Sequence, residues 1–219
     1  MIDAHSIPLG GLETFLLNVA LLFIMGGMIL EISKNKNYGL NFALFIIILF
    51  SVVGRLLLNP IPNIQPVSAL LLLTGIFLGY KRAILAGFAV ALLSNLILGN
   101  GLWTIYQGVG WATIGIIGAK FSDKFFIDDQ LQMNKLILGG AISGILFNWI
   151  VSLSILHYID YNQFPLFIFS GLLYDLIHAC GNIFFVIWLA TPFQSFIENR
   201  YQLKINTIDT HKILKGDNR

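Results

Sequence analysis

The stretch VSALLLLTGIFLGYKRAILAGFAVALLSNLILGNGLW, residues 67–103, decides how the chain is to be read. Two apolar runs, 67–79 and 83–98, are joined by Tyr80, Lys81 and Arg82, and the second ends in Gly99, Asn100 and Gly101 without a basic residue. A bilayer core is about 30 Å thick, so about 20 apolar residues rising 1.5 Å each cross it. Lys and Arg collect on the cytoplasmic side. A basic turn followed by a glycine turn is therefore the pattern of helices that run inward and then outward through a membrane.

The alternation continues in both directions. Seven apolar segments can be read, at 12–30, 40–58, 67–79, 83–98, 103–119, 136–157 and 166–190. Lys34 and Lys36 follow the first; Lys81 and Arg82 the third; Lys120, Lys124 and Lys135 the fifth; Arg200, Lys204, Lys212, Lys215 and Arg219 the seventh. The other side has the loops NPIPNIQP, GNG and HYIDYNQF, with no Lys or Arg. This predicts a multi-pass protein of the cell membrane with the N-terminus outside and the C-terminus cytoplasmic. The third segment is short, which predicts a helix that is tilted, partly re-entrant or extended by its flanks.

Composition agrees. Hydrophobic residues make up 57% of the 219 and charged residues 11%, against about 25% charged in soluble domains. The single cysteine, Cys180, excludes an internal disulfide and a cysteine-based zinc site. The N-terminal MIDAHSIPLGGLET lacks the basic region and cleavage site of a secretory signal. No GxxxxGK[ST] phosphate loop, HExxH or GxSxG occurs. Ser143-Gly144 has no His placed to activate it, and the close acidic pair Asp128-Asp129 lies in a cytoplasmic loop. The chain is thus expected not to be an enzyme, to hold no cofactor or metal of its own and to bind no nucleic acid.

Polar chemistry gathers in the loops without basic residues. Pro60, Pro62 and Pro66 forbid helix in NPIPNIQP and predict an extended path carrying Asn59, Asn63 and Gln65. In LGNGLWTIYQGVGW (98–111), glycines permit a turn while Trp103, Tyr106 and Trp111 offer flat faces with polar tips. The last outer loop adds His157, Tyr158, Asp160 and Tyr161. An interfacial aromatic belt accounts for the rings, but not for the amides. Thr104, Gln107 and Trp111 recur at i, i+3 and i+7 on one helical face, and a Gln inside a membrane helix must face protein or a wet cavity. These loops, with Asn100 at the turn, predict the mouth of a ligand pocket.

Within the spans, Arg55 near the outer end of the second segment admits two readings. It snorkels to the headgroups, or it lines an outward cavity and bonds a ligand or an internal carboxylate. Asp175, His178 and Asn182 form a second stripe at i, i+3 and i+7. The stripe ties helices together, with Asp175 as partner of Arg55, or it touches ligand or relays protons; Asn95 and Asn148 read first as interhelical hydrogen-bonding residues. Small residues four apart (Gly75 and Gly79; Ala83, Gly87 and Ala91; Gly115 and Ala119; Gly140 and Gly144) predict a compact bundle.

RLLLNPIPNIQP (55–66), the small-residue helices after it and GNGLWTIYQGVGW (99–111) together resemble the substrate-binding S components of energy-coupling factor (ECF) vitamin transporters, and most closely those of the cobalamin or corrinoid type. The resemblance implies an all-α membrane protein whose six core helices enclose a vitamin-sized pocket open to the outside. A membrane T component and two cytoplasmic ATPases that consume ATP would be its partners. Segment one is then an addition, and the chain divides into a helix and loop at 1–39, a six-helix substrate domain at 40–197 and a polar cytoplasmic tail at 198–219. The family's Ala-xxx-Ala contact is missing from the first core helix, where Ile47 follows Ala43; Ala83, Gly87 and Ala91 are the substitutes on offer. Two other classes compete: a proton-coupled secondary transporter using Asp175 and His178, and a structural membrane protein without ligand.

Overall fold

The computed structural model describes residues 10–34, 38–128 and 130–214, with side chains through residue 199. Lys36, Asp129, Lys215 and Arg219 lie outside the described residues, as do the side chains of Arg200, Lys204 and Lys212. Among the described residues are seven helices: α1 (Gly11–Lys34), α2 (Tyr38–Leu57), α3 (Val67–Leu78), α4 (Tyr80–Leu98), α5 (Trp103–Lys120), α6 (Met133–Ser152) and α7 (Phe164–Leu214). A two-residue antiparallel ladder, β1 (Phe126–Ile127) with β2 (Gln130–Leu131), closes the turn before α6. The chain is an all-α, multi-pass membrane bundle.

Five of these helical stretches are long and apolar enough to cross a bilayer; α3 and α5 are not among them. For α3 the reason is its position. Every one of its twelve residues except Phe77 is buried, so it sits at the centre of the bundle and meets protein rather than lipid on all sides. A helix with no lipid face need not match the bilayer thickness. It stops at Gly79, whose φ of +81° is readily available only to glycine, and α4 begins at the next residue. α5 falls short on composition, because one of its faces carries Thr104, Gln107 and Trp111 and points into the protein.

Helices α2 to α7 pack around α3, whereas α1 buries only Leu21 and Ile32. At the exposed end of α1, Glu31 bonds Lys81 of α4 at 2.9 Å and its own Lys34 at 3.1 Å. The small residues are used inside. A Cβ on Gly75 would run into the Gly115 carbonyl of α5, and one on Gly87 would lie 2.7 Å from Ala112 N. Ala83 and Gly87 are themselves buried against α5, and Ala91 is buried in the bundle, which corrects the expectation that the three offer a contact to an outside partner. Gly140 and Gly144 similarly let α6 reach α7 at Asn182 and Ala179.

The two classes of loop lie at opposite ends. At the basic end, Lys81 meets α1, and Phe77 packs edge-on against Phe126 at 5.8 Å and, tilted at 41°, against Phe193 of α7 at 5.7 Å. At the other end, the segment 58–66 forms successive turns rather than an extended path, with Ile61 N on Leu58 O at 2.9 Å and Asn63 left-handed at φ +57°. Proline blocks helix, yet no strand among the described residues pairs with the segment to hold it straight. Gly54 admits Pro66, whose Cγ would stand 2.6 Å from a Cβ there, and Asn63 Nδ2 donates to Tyr174 O at 3.2 Å, so the loop is clamped between α2 and α7. α7 continues as one helix through Leu214, across the stretch read as a polar tail.

Candidate functional site

Each of the six core helices contributes one polar side chain to a single cavity of about 780 Å³: Arg55 from α2, Ser68 from α3, Asn95 from α4, Gln107 from α5, Asn148 from α6 and His178 from α7. No residue of α1 is among those lining it. The mouth is formed by Asn59, Pro62, Asn63 and Gln65 of the proline loop and by Gly99, Asn100 and Trp103 of the glycine turn. Local sequence builds this mouth. Gly99 turns at φ +107°, and Gly101 leaves the space that the Trp103 ring occupies. Trp111 and Phe147 stack at 4.8 Å and 17° as an apolar wall.

Arg55 is only 6% exposed. Its Nη1 donates to Ser94 Oγ and, at 2.9 Å, to Asn95 Oδ1, and its guanidinium lies 5.1 Å from the centre of the Trp111 ring. Burying an ion costs several kcal/mol. Hydrogen bonds to a charged group return about 1.5–3 kcal/mol each and a desolvated cation–π contact about 2, so neutral neighbours can hold this cation without a carboxylate. Snorkelling is excluded by its burial.

Asn95 extends the network. Its Nδ2 donates to Thr104 Oγ1 at 2.9 Å and to Gln107 Oε1 at 2.7 Å, and Thr104 in turn donates to Asn100 Oδ1 at 3.1 Å. Guanidinium has donors only, so the Asn95 atom facing Arg55 must be oxygen, and the amide orientation of both Asn95 and Gln107 follows.

A second network occupies the opposite wall. Asp175 accepts from Asn148 Nδ2 at 2.9 Å and from Trp149 Nε1 at 2.8 Å. Asn148 Oδ1 then meets His178 Nδ1 at 2.8 Å, which places the ring proton on Nδ1 and leaves Nε2 to accept from Ser68 Oγ at 3.3 Å. Trp111 Nε1 donates to Ser68 Oγ at 3.3 Å. The pairing of Asp175 with Arg55 expected from sequence is not made; each charge is held by an asparagine of a neighbouring helix.

Of the residues read from sequence, Arg55, Asn59, Asn63, Gln65, Asn100, Trp103, Gln107, Trp111 and His178 line the cavity. Three do not. Thr104 lies behind the wall, fully buried between Asn95 and Asn100. Asp175 stands behind Asn148. His157 closes a short 3-10 turn after α6 and bonds Tyr106 at 2.9 Å on the outer face of α5, off the cavity. Sequence reading missed Ser68, Phe147 and the lining role of Asn95 and Asn148. The signal for the asparagines was present, since an amide inside a span needs a reason; Ser68 and Phe147 carry none. No cluster of three or more His, Cys, Asp or Glu that could hold a metal occurs among the described residues.

Comparison with curated proteins gives no match, and comparison with solved structures gives none. A family model described as a family of unknown function (DUF6580) matches residues 35–180, a span that begins after α1 and contains every cavity-lining side chain. By that match over more than half its length, the chain belongs to the DUF6580 family.

Proposed function

We propose that the chain captures a vitamin-sized solute and hands it to an ATP-driven importer, as the S components of ECF transporters do. One observation carries this reading: a cavity of about 780 Å³, to which all six core helices contribute, has its mouth at the end where no loop bears a Lys or Arg. Small-molecule sites span about 300–1,000 Å³ and combine apolar walls with a few aimed polar groups. By the positive-inside rule that mouth is external and the basic end cytoplasmic, where a T component and a pair of ATPases would dock. The chain itself would perform no chemistry.

Cobalamin heads the ligands to be tested, on the strength of the GNGLWTIYQ likeness, followed by smaller ring vitamins that fill the volume without displacing the mouth loops. The test is thermal unfolding of the purified chain in detergent with each vitamin. A ligand at 100 times its Kd stabilises by about 2.7 kcal/mol, and Gln107→Ala should weaken whatever binds. No shift with any vitamin and no co-purifying ATPase would refute the proposal.

The hydrogen-bonded chain from Ser68 through His178 and Asn148 to Asp175 favours a second reading, a proton-coupled transporter working alone. Solute uptake into liposomes that contain this chain only, driven by a pH gradient, would select it over the first.

A further inference from the structure

We infer that the ligand of this cavity is a small organic oxyanion, a carboxylate on a flat apolar body, received by the unused edge of Arg55 together with the amide nitrogen of Gln107. The inference rests on the capture reading above and names the chemical class of the captured solute.

The polarity of the network leads to it. Arginine has five N–H donors and no acceptor. Nη1 spends both of its protons on Ser94 and Asn95, whereas Nε is buried with no acceptor and Nη2 meets none among the described residues. Nε and Nη2 form the edge of the guanidinium whose two parallel N–H groups match the two oxygens of a carboxylate; Nε is covered in the empty bundle, so the second oxygen reaches it only as the ligand seats. Asn95 Nδ2 gives both its protons to Thr104 and Gln107, which uses up the Gln107 oxygen. Gln107 lines the cavity and its Nε2 makes no hydrogen bond among the described residues.

The remaining polar groups do not reverse this polarity. The Trp111 proton is on Ser68 and the Ser68 proton is on His178. Asn148 Oδ1 is engaged by His178, and Asn148 Nδ2 has one proton on Asp175 and a second unassigned. On the inner wall, then, acceptors are occupied and donors remain. No Asp or Glu is among the lining residues, and Asp175 stands behind Asn148 with each of its oxygens accepting one bond. A neutral carbonyl would accept from the guanidinium edge with one oxygen and leave its charge uncompensated; an amine would face like charge.

The rest of the ligand is constrained by what flanks Arg55. The guanidinium lies over Trp111, and Trp111 is stacked on Phe147, so an oxyanion bound at the Arg55 edge has its body beside an aromatic wall. Six helices surround the site, which favours a dissolved carboxylate over a lipid headgroup phosphate as the source of the oxyanion.

The test uses the full chain in phosphatidylcholine nanodiscs, with calorimetry and thermal unfolding against matched pairs: biotin and biotinamide, nicotinate and nicotinamide, pantothenate and pantothenol. At least one carboxylate should bind about tenfold or more tightly than its neutral partner. Arg55→Gln should abolish that difference, and Arg55→Lys should keep only part of it, since ammonium lacks the two-pronged edge. If Arg55→Gln fails to fold, Asn95→Asp serves instead: it sets an internal carboxylate against Nη1 of Arg55 and draws the Gln107 Nε2 donor to itself, and should remove anion binding. Equal binding of neutral and anionic partners, or a preference that survives Arg55→Gln, overturns the inference while leaving solute capture in place. An Arg55-dependent stabilisation by phosphatidylglycerol nanodiscs, with none by the carboxylates, overturns the assignment to a dissolved solute. If neither these pairs nor any other vitamin binds and no ATPase co-purifies, the inference and the capture reading fall together.

Discussion

Removing Asn95 should loosen the bundle through Arg55, and a double-mutant cycle can isolate that link. Asn95→Ala deletes three buried hydrogen bonds, one accepted from Arg55 and two donated to Thr104 and Gln107. Neutral interhelical bonds in membranes average about 0.6 kcal/mol, so the two donated bonds account for about 1.2. The bond from the guanidinium is charge-assisted and carries about 1.5–3. The expected loss is about 3–4 kcal/mol. Arg55→Met should cost less, because an apolar replacement of similar volume also removes the burden of burying an ion. The two losses should not add: the coupling between them is the charge-assisted bond, about 2 kcal/mol. Reversible unfolding in mixed micelles with added SDS, followed by tryptophan fluorescence, measures all four corners of the cycle. A coupling below about 0.5 kcal/mol would mean that the Arg55–Asn95 contact carries no more than distant sites do, and the account of how Arg55 is held would fail.

Three further outcomes are expected. Gly75→Ala should cost about 2–3 kcal/mol in the same assay, because its Cβ meets the Gly115 backbone, which cannot swing aside, whereas Gly26→Ala, with nothing within 4 Å, should leave stability unchanged. Asp175→Asn should cost about 1–3 kcal/mol, since it turns an –NH₂ toward the donor of either Asn148 or Trp149, while Glu31→Gln at the exposed end of α1 should leave the midpoint unmoved. Ile61→Cys and Lys124→Cys, each on a Cys180→Ser background, should be labelled by an impermeant maleimide from opposite sides of sealed vesicles; labelling from one side would refute the two-ended arrangement.

The spans were legible because apolar length and the placement of Lys and Arg are properties of single segments. What a segment faces is not such a property. The twelve residues of α3 read as a span too short for a bilayer, and only their burial on every side explains why they need not reach across. The spacing of Thr104, Gln107 and Trp111 did identify the inward face of α5, yet spacing alone cannot rank residues along that face by depth. Gln107 and Trp111 reach the cavity, and Thr104 is stopped by Asn95. The stripe at Asp175, His178 and Asn182 divides in the same way. His178 reaches the cavity, Asp175 is intercepted by Asn148, and Asn182 packs against Gly144 with both its polar atoms unpartnered. Asn95 and Asn148 were legible as oddities within their spans, but their role depends on which charges α2 and α7 bring beside them.

That dependence bears on why Arg55 and Asp175 occur in one bundle without meeting. Opposite charges in a medium of low dielectric attract strongly, and a direct pair would be the simplest way to bury both. Here each is held by a neutral amide, Asn95 for Arg55 and Asn148 for Asp175, and the two networks approach through Trp111, which lies against Arg55 and donates to Ser68. Asp175 accepts on both oxygens and is withdrawn from the cavity; Arg55 has three N–H groups without a partner among the described residues and lines it. A bundle selected for stability alone would gain by closing that gap, because the unmet donors retain their desolvation cost until an acceptor arrives. An incoming oxyanion would relieve that cost on binding, so the same unpaired cation that weakens the empty bundle supplies affinity for the occupied one. The Asn95→Asp exchange tests this directly: a carboxylate on Nη1, with Gln107 turned to present its Nε2 to it, cancels the charge an incoming oxyanion would meet and should abolish the chain's hold on anions.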